Sequence, residues 1–182
     1  QRQALESKGK SPHVLIMTAT PIPRTMALSV YGDLDVSFIK GMPPGRHPVK
    51  TYVVGSHMLQ RIFRFMKKEM ESGHQAYVVC PLVEQSEKQD LAAAVSVYEN
   101  LRDHVFPQFG VGLVHGRMKN AEKEQVMEDF RKGKFKLLVA TSVIEVGVNV
   151  PDATVMFVYG ADRFGLSQLH QLRGRVGRGK EQ

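Results

Sequence analysis

At 182 residues the chain is long enough for one well-packed domain and part of a neighbour, and its 25 Lys and Arg outnumber 18 Asp and Glu. The net charge of +7 makes a polyanion a more natural partner than an acidic protein or a neutral metabolite. A single cysteine excludes an internal disulfide, no apolar run approaches the roughly 20 residues of a membrane helix, and Gln1-Arg2-Gln3 lacks the apolar core of a signal peptide, so a cytosolic location without a membrane partner is expected.

In chain order, His13 to Thr18 reads as a strand and a helix is expected from near Pro23. The stretch from Gly41 to Pro48 contains Met42-Pro43-Pro44-Gly45, which can continue neither a helix nor a central strand. We therefore expect a domain remnant at 1–40, a linker at 41–48 and a main domain at 49–182. In the main domain, strands are expected at Thr51 to Val54, Ala76 to Pro81, Val111 to His115, Leu137 to Thr141 and Thr154 to Tyr159. These runs lack strict alternation, as in strands covered on both faces. Between them, Leu59, Ile62, Phe63, Met66 and Met70 repeat at helical spacing, with Ser56 placed to cap the helix and Gly73 just past its end. Two more helices are expected, from Leu91 to Arg102 with Val95, Tyr98 and Leu101 inward, and from Ala121 to Arg131 with Val126, Met127 and Phe130 inward. The alternation of strand and helix predicts an α/β fold, a parallel sheet sandwiched by helices. Cys80, inside the run Ala76-Tyr77-Val78-Val79-Cys80, is expected to be buried and inert.

The strongest local signal is Gln171-Leu172-Arg173-Gly174-Arg175-Val176-Gly177-Arg178-Gly179. Glycine lets the backbone approach a ligand, and guanidinium groups make forked bonds to phosphate. A solvated basic tail is the alternative, but Leu166, Leu169 and Leu172 form a stripe that would anchor a short helix and hold the arginines in place. Upstream, Thr141 and Ser142 end an apolar strand before a helix, where a hydroxyl and free N–H groups suit a phosphate; an ordinary loop is the alternative. His115-Gly116-Arg117-Met118 also closes a strand before a helix, a common ligand position in α/β proteins. It reads equally as a turn with one exposed basic residue. The histidines show no metal spacing, so no metal ligand is expected. Neither a Gly-x-x-x-x-Gly-Lys-Ser/Thr loop nor an Asp-Glu pair following a strand is present.

Gln171 to Arg178 resembles motif VI of superfamily 2 helicases, and Arg163 to Arg178 as a whole is similar to the branch that holds RecG and the transcription-repair coupling factor. Ala140 to Pro151 resembles motif V, with Asn149 where family members often carry aspartate. Thr18-Ala19-Thr20-Pro21-Ile22-Pro23-Arg24-Thr25 resembles motif III of the first motor domain. Val30 to Ser37, Met42 to Arg46 and His115 to Lys119 look more like the RecG family than the coupling factor.

This resemblance implies a second RecA-like helicase domain with a remnant of the first, taken from a bacterial, cytoplasmic, monomeric motor that remodels stalled forks and four-way junctions. It implies ATP and Mg2+ at the interface with the first domain, Arg175, Arg178 and Gln171 as catalytic groups, and Thr18, Thr20, Glu145, Gly147 and Asn149 as coupling groups. Thr141, Ser142, His115, Arg117 and Arg173 would bind branched or duplex DNA. The chain is expected to be cut between the acidic motif and motif III, to stop before the domain's final strand, and to be inactive alone. Three alternatives stay open: a basic nucleic-acid-binding RecA-like module without catalysis, half of a related DNA translocase of the transcription-repair coupling factor kind, and half of an RNA helicase, which Gln171-Leu172 disfavours because RNA helicases of the DEAD-box kind usually carry a His-Arg pair there.

Overall fold

A computed structural model of the chain describes residues 48–81, 87–141 and 150–179, together with residues 37, 39 and 41. By its internal packing the chain divides into Gln1–Phe38 and Ile39–Gln182, and the described strands and helices all belong to the second unit. The expected strand at His13, the helix near Pro23 and most of the 41–48 linker lie outside the described residues.

Four parallel strands form one sheet in the order β2-β3-β1-β4. They are β1 (Gln75–Cys80), β2 (Val111–Val114), β3 (Leu137–Thr141) and β4 (Ala153–Val158). Around them lie helices α1 (Leu59–Glu71), α2 (Glu87–Asn100), α3 (Asn120–Arg131) and α4 (Leu166–Arg173). Alternate residues of each central strand feed opposite cores, as the two-residue period of a strand requires. Ala76, Val78, Cys80, Leu137 and Val139 face α1 and α2 with Met66, Met70, Ala94 and Leu101. Tyr77, Leu138 and Ala140 face α3 with Met127, Phe130 and Val176.

The expected elements recur with shifted ends. The second helix starts at Glu87, and its continuation over Leu101–Val105 is a π-helical turn. Ala94 is fully buried among its described residues, while Val95 and Tyr98 are half-buried and Tyr98 lies under the Arg102 guanidinium at 5.0 Å.

Three expectations fail. Thr51 to Val54 pairs with no described strand and stands exposed, Val53 fully so, because β-propensity yields a strand only with a partner and an apolar face to pack on. Ser56 opens a short 3-10 turn (Ser56–Met58) whose N-cap is Gly55, and no side chain caps it. Leu166 is 86% exposed, so α4 is held by Leu172 and the half-buried Leu169 rather than by three leucines.

One buried polar residue ties the sheet to α3. Gln75 donates from Nε2 to the carbonyls of Phe130 at 2.6 Å and Phe135 at 3.2 Å, closing the end of α3 and the turn into β3. Its own N–H donates to Asp152 O at 2.7 Å. Replacing Gln75 by Leu strands two buried carbonyls, and urea unfolding is expected to show a loss of about 2 kcal/mol; an unchanged midpoint would mean that these bonds contribute nothing net.

Candidate nucleic-acid interface and arginine loop

In a parallel sheet all strands present the same end together, so the C-terminal edge gathers side chains from distant parts of the sequence. Here the register aligns Cys80 with Thr141, Val114 with Ala140 and Val79 with Val158. The ladder continues as Tyr159 N–H donates to Val79 O at 2.9 Å. One step further, His115, Thr141, Cys80 and Tyr159 form a row across all four strands, on the α1/α2 face by alternation.

Two polar atoms of this row are buried without a hydrogen-bond partner, His115 Nδ1 and Thr141 Oγ1, and they sit on neighbouring strands at the same level. Thr141 is only 4% exposed, and an unpaired buried hydroxyl costs about 1–3 kcal/mol. A ligand oxygen at this edge would remove that cost. Cys80, between Thr141 and Tyr159, is buried as expected, and burial pushes its thiol up to about 11, so it is not a nucleophile at neutral pH.

The turn after β2 is held by its own backbone and by a lysine. His115 N–H donates to Met118 Sδ at 3.4 Å, Met118 N–H to His115 O at 3.2 Å, and Lys123 Nζ to Gly116 O at 2.8 Å. Glu122 caps α3 by accepting from Lys119 N–H at 2.9 Å. Burial first, then the charges of Lys123 and Arg117, hold the His115 imidazole below its ordinary pKa, with Glu122 opposing. The same cations that resist a proton favour an anion, so this corner is prepared for negative charge. Lys123 is a contributor that sequence reading missed.

The arginine-rich segment lies elsewhere. Gln171 and Arg173 are exposed on the last turn of α4, where Arg173 Nη2 meets His170 Nδ1 at 3.2 Å. The loop beyond is pinned to the start of β4. Gly177 takes φ +70°, a left-handed conformation that glycine adopts without steric cost, and its N–H reaches Ala153 O at 3.4 Å. Gly179 passes so close to Pro151 that a Cβ there would lie 2.5 Å from the Pro151 carbonyl oxygen. Near them Val176 is buried in the α3-side core with Tyr77.

Arg175 and Arg178 are half-buried, Arg178 Nε donates to Gly174 O at 2.9 Å, and both cations act on the Tyr77 hydroxyl. Burial nevertheless pushes that hydroxyl up to about 12, so it stays protonated beneath the two guanidiniums. Tyr77 reads as plain core in the sequence, and only the packing of Val176 over β1 reveals its neighbours.

The structure thus divides the expected site residues in two. Thr141, His115 and Arg117 share the C-terminal edge, whereas Gln171, Arg173, Arg175 and Arg178 belong to the end of α4 and its loop. Ser142, Glu145, Gly147, Asn149, Thr18 and Thr20 lie outside the described residues. Among the described residues no group of three His, Cys, Asp or Glu side chains could hold a metal ion, and no helix is long and apolar enough to cross a membrane.

Residues 56–180 match the family model of the helicase conserved C-terminal domain. Across all 182 residues the chain is 55% identical to the ATP-dependent DNA helicase RecG of Bacillus subtilis (strain 168), covering 27% of that protein. It is 51% identical over 182 residues to RecG of Thermotoga maritima, covering 23% of it. The chain spans about a quarter of the length of the curated relatives it matches. A solved structure of RecG bound to a three-way DNA junction is similar over 88% of this chain and 21% of that one, with 49% identity and a TM-score of 0.71. Domain 2 of the DEAD-box helicase Mss116p bound to an RNA duplex, at 18% identity, a TM-score of 0.51 and coverage of 68% of this chain and 47% of that one, is similar in fold alone. The expected resemblance to RecG holds along the whole chain, and the expected RecA-like helicase fold is the one observed.

An NMR pH titration is expected to find His115 titrating below the ordinary imidazole value of about 6.5. Lys123→Gln should move its midpoint upward, and an unmoved midpoint would rule out Lys123 as a cause.

Proposed function

The chain belongs to the helicase conserved C-terminal domain family, and on that premise we propose that residues 49–182 are the second motor domain of an ATP-dependent DNA translocase of the RecG type. Residues 1–40 then belong to the first motor domain and 41–48 to the linker. The substrate is branched DNA, such as stalled forks and four-way junctions, and the protein acts in the bacterial cytoplasm as a monomer. The 49% identity to a RecG that was solved on a three-way junction supports this choice of polymer over RNA.

The observation that carries the reading is the division of the polar groups into two sets, one for each ligand a motor must couple. At the C-terminal edge, Thr141 Oγ1 and His115 Nδ1 are buried without partners, and the charges of Lys123 and Arg117 act on His115. A DNA phosphate satisfies both groups, with Ser142 as a further contact; Arg173, expected at the same site, stands at the end of α4 beside the arginine loop. Such contacts position the backbone without reading sequence, as a translocating protein requires.

The second set faces the nucleotide. ATP with Mg2+, bound between the two motor domains, supplies the phosphoryl group whose transfer to water drives movement, and we assign the metal's ligands to the first domain. This chain contributes the arginine loop. Half-burial and the backbone bond of Arg178 hold the guanidiniums in place before a ligand arrives, so little reorganisation is needed when negative charge builds up beside them. Each presents a forked set of donors suited to phosphate oxygens, which is the fit that ATP demands. Gln171, exposed on the last turn of α4, joins Arg175 and Arg178 as a catalytic group, and Glu145, Gly147 and Asn149 with Thr18 and Thr20 couple nucleotide and DNA.

In the full-length protein a synthetic four-way junction is expected to accelerate ATP hydrolysis. Arg178→Ala should lower turnover by about 10³-fold or more, the range for an arginine finger, while ATP binding measured by nucleotide fluorescence persists. Unchanged turnover in the variant would remove Arg178 from the chemistry, and absence of hydrolysis in the unsubstituted protein would leave a basic binding module.

A further inference from the structure

Tyr77 carries the one hydroxyl found in the middle of either central strand, since Ala76, Val78 and Val79 on β1 and Leu138, Val139 and Ala140 on β3 are all apolar. It is 2% exposed, and a buried tyrosine packs its ring as an apolar group while its oxygen takes a polar neighbour. Phenylalanine would bury the same ring without the oxygen, so packing alone does not account for the hydroxyl.

The ring is held by α3. Gln75 and Tyr77 lie on the same face of β1 by alternation, and both reach Phe130. Gln75 Nε2 donates to the Phe130 carbonyl at 2.6 Å, and the Tyr77 ring meets the Phe130 ring edge-on, with centroids 5.1 Å apart and planes at 64°. Phe130 in turn stacks on Phe135 at 5.6 Å. The phenol is thereby fixed in the α3-side core, where Val176 is buried with it.

Val176 stands between the two arginines in the chain, and the loop folds them toward each other. Arg175 N–H donates to Leu172 O at 2.9 Å, and Arg178 Nε returns to Gly174 O, also at 2.9 Å. The Arg178 guanidinium is thus tied to the residue that precedes Arg175. Like charges brought together repel, and the charges of both arginines act on the Tyr77 oxygen. A carboxylate in that position would draw both cations into ion pairs and cancel the charge that a phosphate needs. A phenol that stays protonated offers only the partial negative charge of its oxygen.

We propose that Tyr77 is a positioning residue of the arginine loop: its hydroxyl oxygen, fixed from β1 and Phe130, keeps the Arg175 and Arg178 guanidiniums together and leaves their charge for the phosphoryl group in transfer. This rests on the reading of those arginines as the groups that meet ATP. Being buried, Tyr77 acts only through them.

In the full-length protein, Tyr77→Phe keeps the ring against Phe130 and removes the oxygen. Turnover at saturating ATP should fall about 10-fold, the effect of losing one polar contact to a charged group, with the KM for ATP and the thermal unfolding midpoint unchanged. Binding of ADP–aluminium fluoride, a mimic of the phosphoryl group in transfer, should weaken by a similar factor while binding of ADP alone does not. In a protein already carrying Arg175→Ala and Arg178→Ala, adding Tyr77→Phe should weaken the mimic no further. Unchanged turnover and mimic binding in Tyr77→Phe, an equal loss on ADP, or a further loss in the doubly substituted protein would overturn the role of Tyr77 while leaving the arginines in place. If Arg178→Ala leaves turnover unchanged, the arginine reading falls and Tyr77 falls with it.

Discussion

The two central strands, β1 and β3, are buried along their whole length and leave mid-strand side chains no water to meet, and this two-sided burial governs where chemistry can occur. Val78, Val79, Leu137, Leu138 and Val139 are fully buried, each worth about 1.5–3 kcal/mol in transfer free energy, so a polar substitution in mid-strand would be severe. Polar groups are consequently pushed to the strand ends. The buried polar residues described are Gln75, at the first position of β1, and Thr141, at the last of β3. Gln75 finds two carbonyls and is structural. Thr141 Oγ1 finds none, and this difference between the two ends is what singles out the C-terminal edge as the one proposed to bind.

The same burial shapes the electrostatics. His115 loses basicity to desolvation before its cationic neighbours act, and the Tyr77 hydroxyl loses acidity to burial despite two guanidiniums. In both places the nearby titratable group is kept from supplying a counter-charge or competing for one: His115 stays neutral and Tyr77 stays protonated. Positive charge therefore prevails at the β2 corner and at the arginine loop, which are the two places assigned to phosphate-bearing ligands.

One buried side chain and two backbone contacts hold the arginines in place. Leu166 is solvent-facing and anchors nothing, yet the loop stays in place because Val176 enters the core, Gly177 turns back to Ala153, and Gly179 lies against the Pro151 carbonyl. The glycines that looked in the sequence like room for a ligand are occupied by the protein's own chain. Pro151 and Ala153 are the residues that Gly179 and Gly177 meet, so the loop after α4 is tied to the start of β4 through its backbone.

Strand and helix types, the parallel α/β class and the burial of Cys80 were legible in the sequence, because apolar period and length follow directly from two-sided burial. The arginine, threonine and histidine candidates were legible as residue types at element ends. Pairing was not: Tyr52 and Val53 have strand propensity but no described strand beside them, and Leu166 has helical spacing but no surface to cover it. Nor could local pattern show that His115 and Thr141 share a level, or that the charges of Arg175 and Arg178 act on Tyr77. The sequence by itself determined what each segment becomes, since that depends on neighbours along the chain. The tertiary structure alone decided which polar groups stay without partners, because partners in a parallel sheet come from strands dozens of residues apart, aligned by a register that no local spacing encodes.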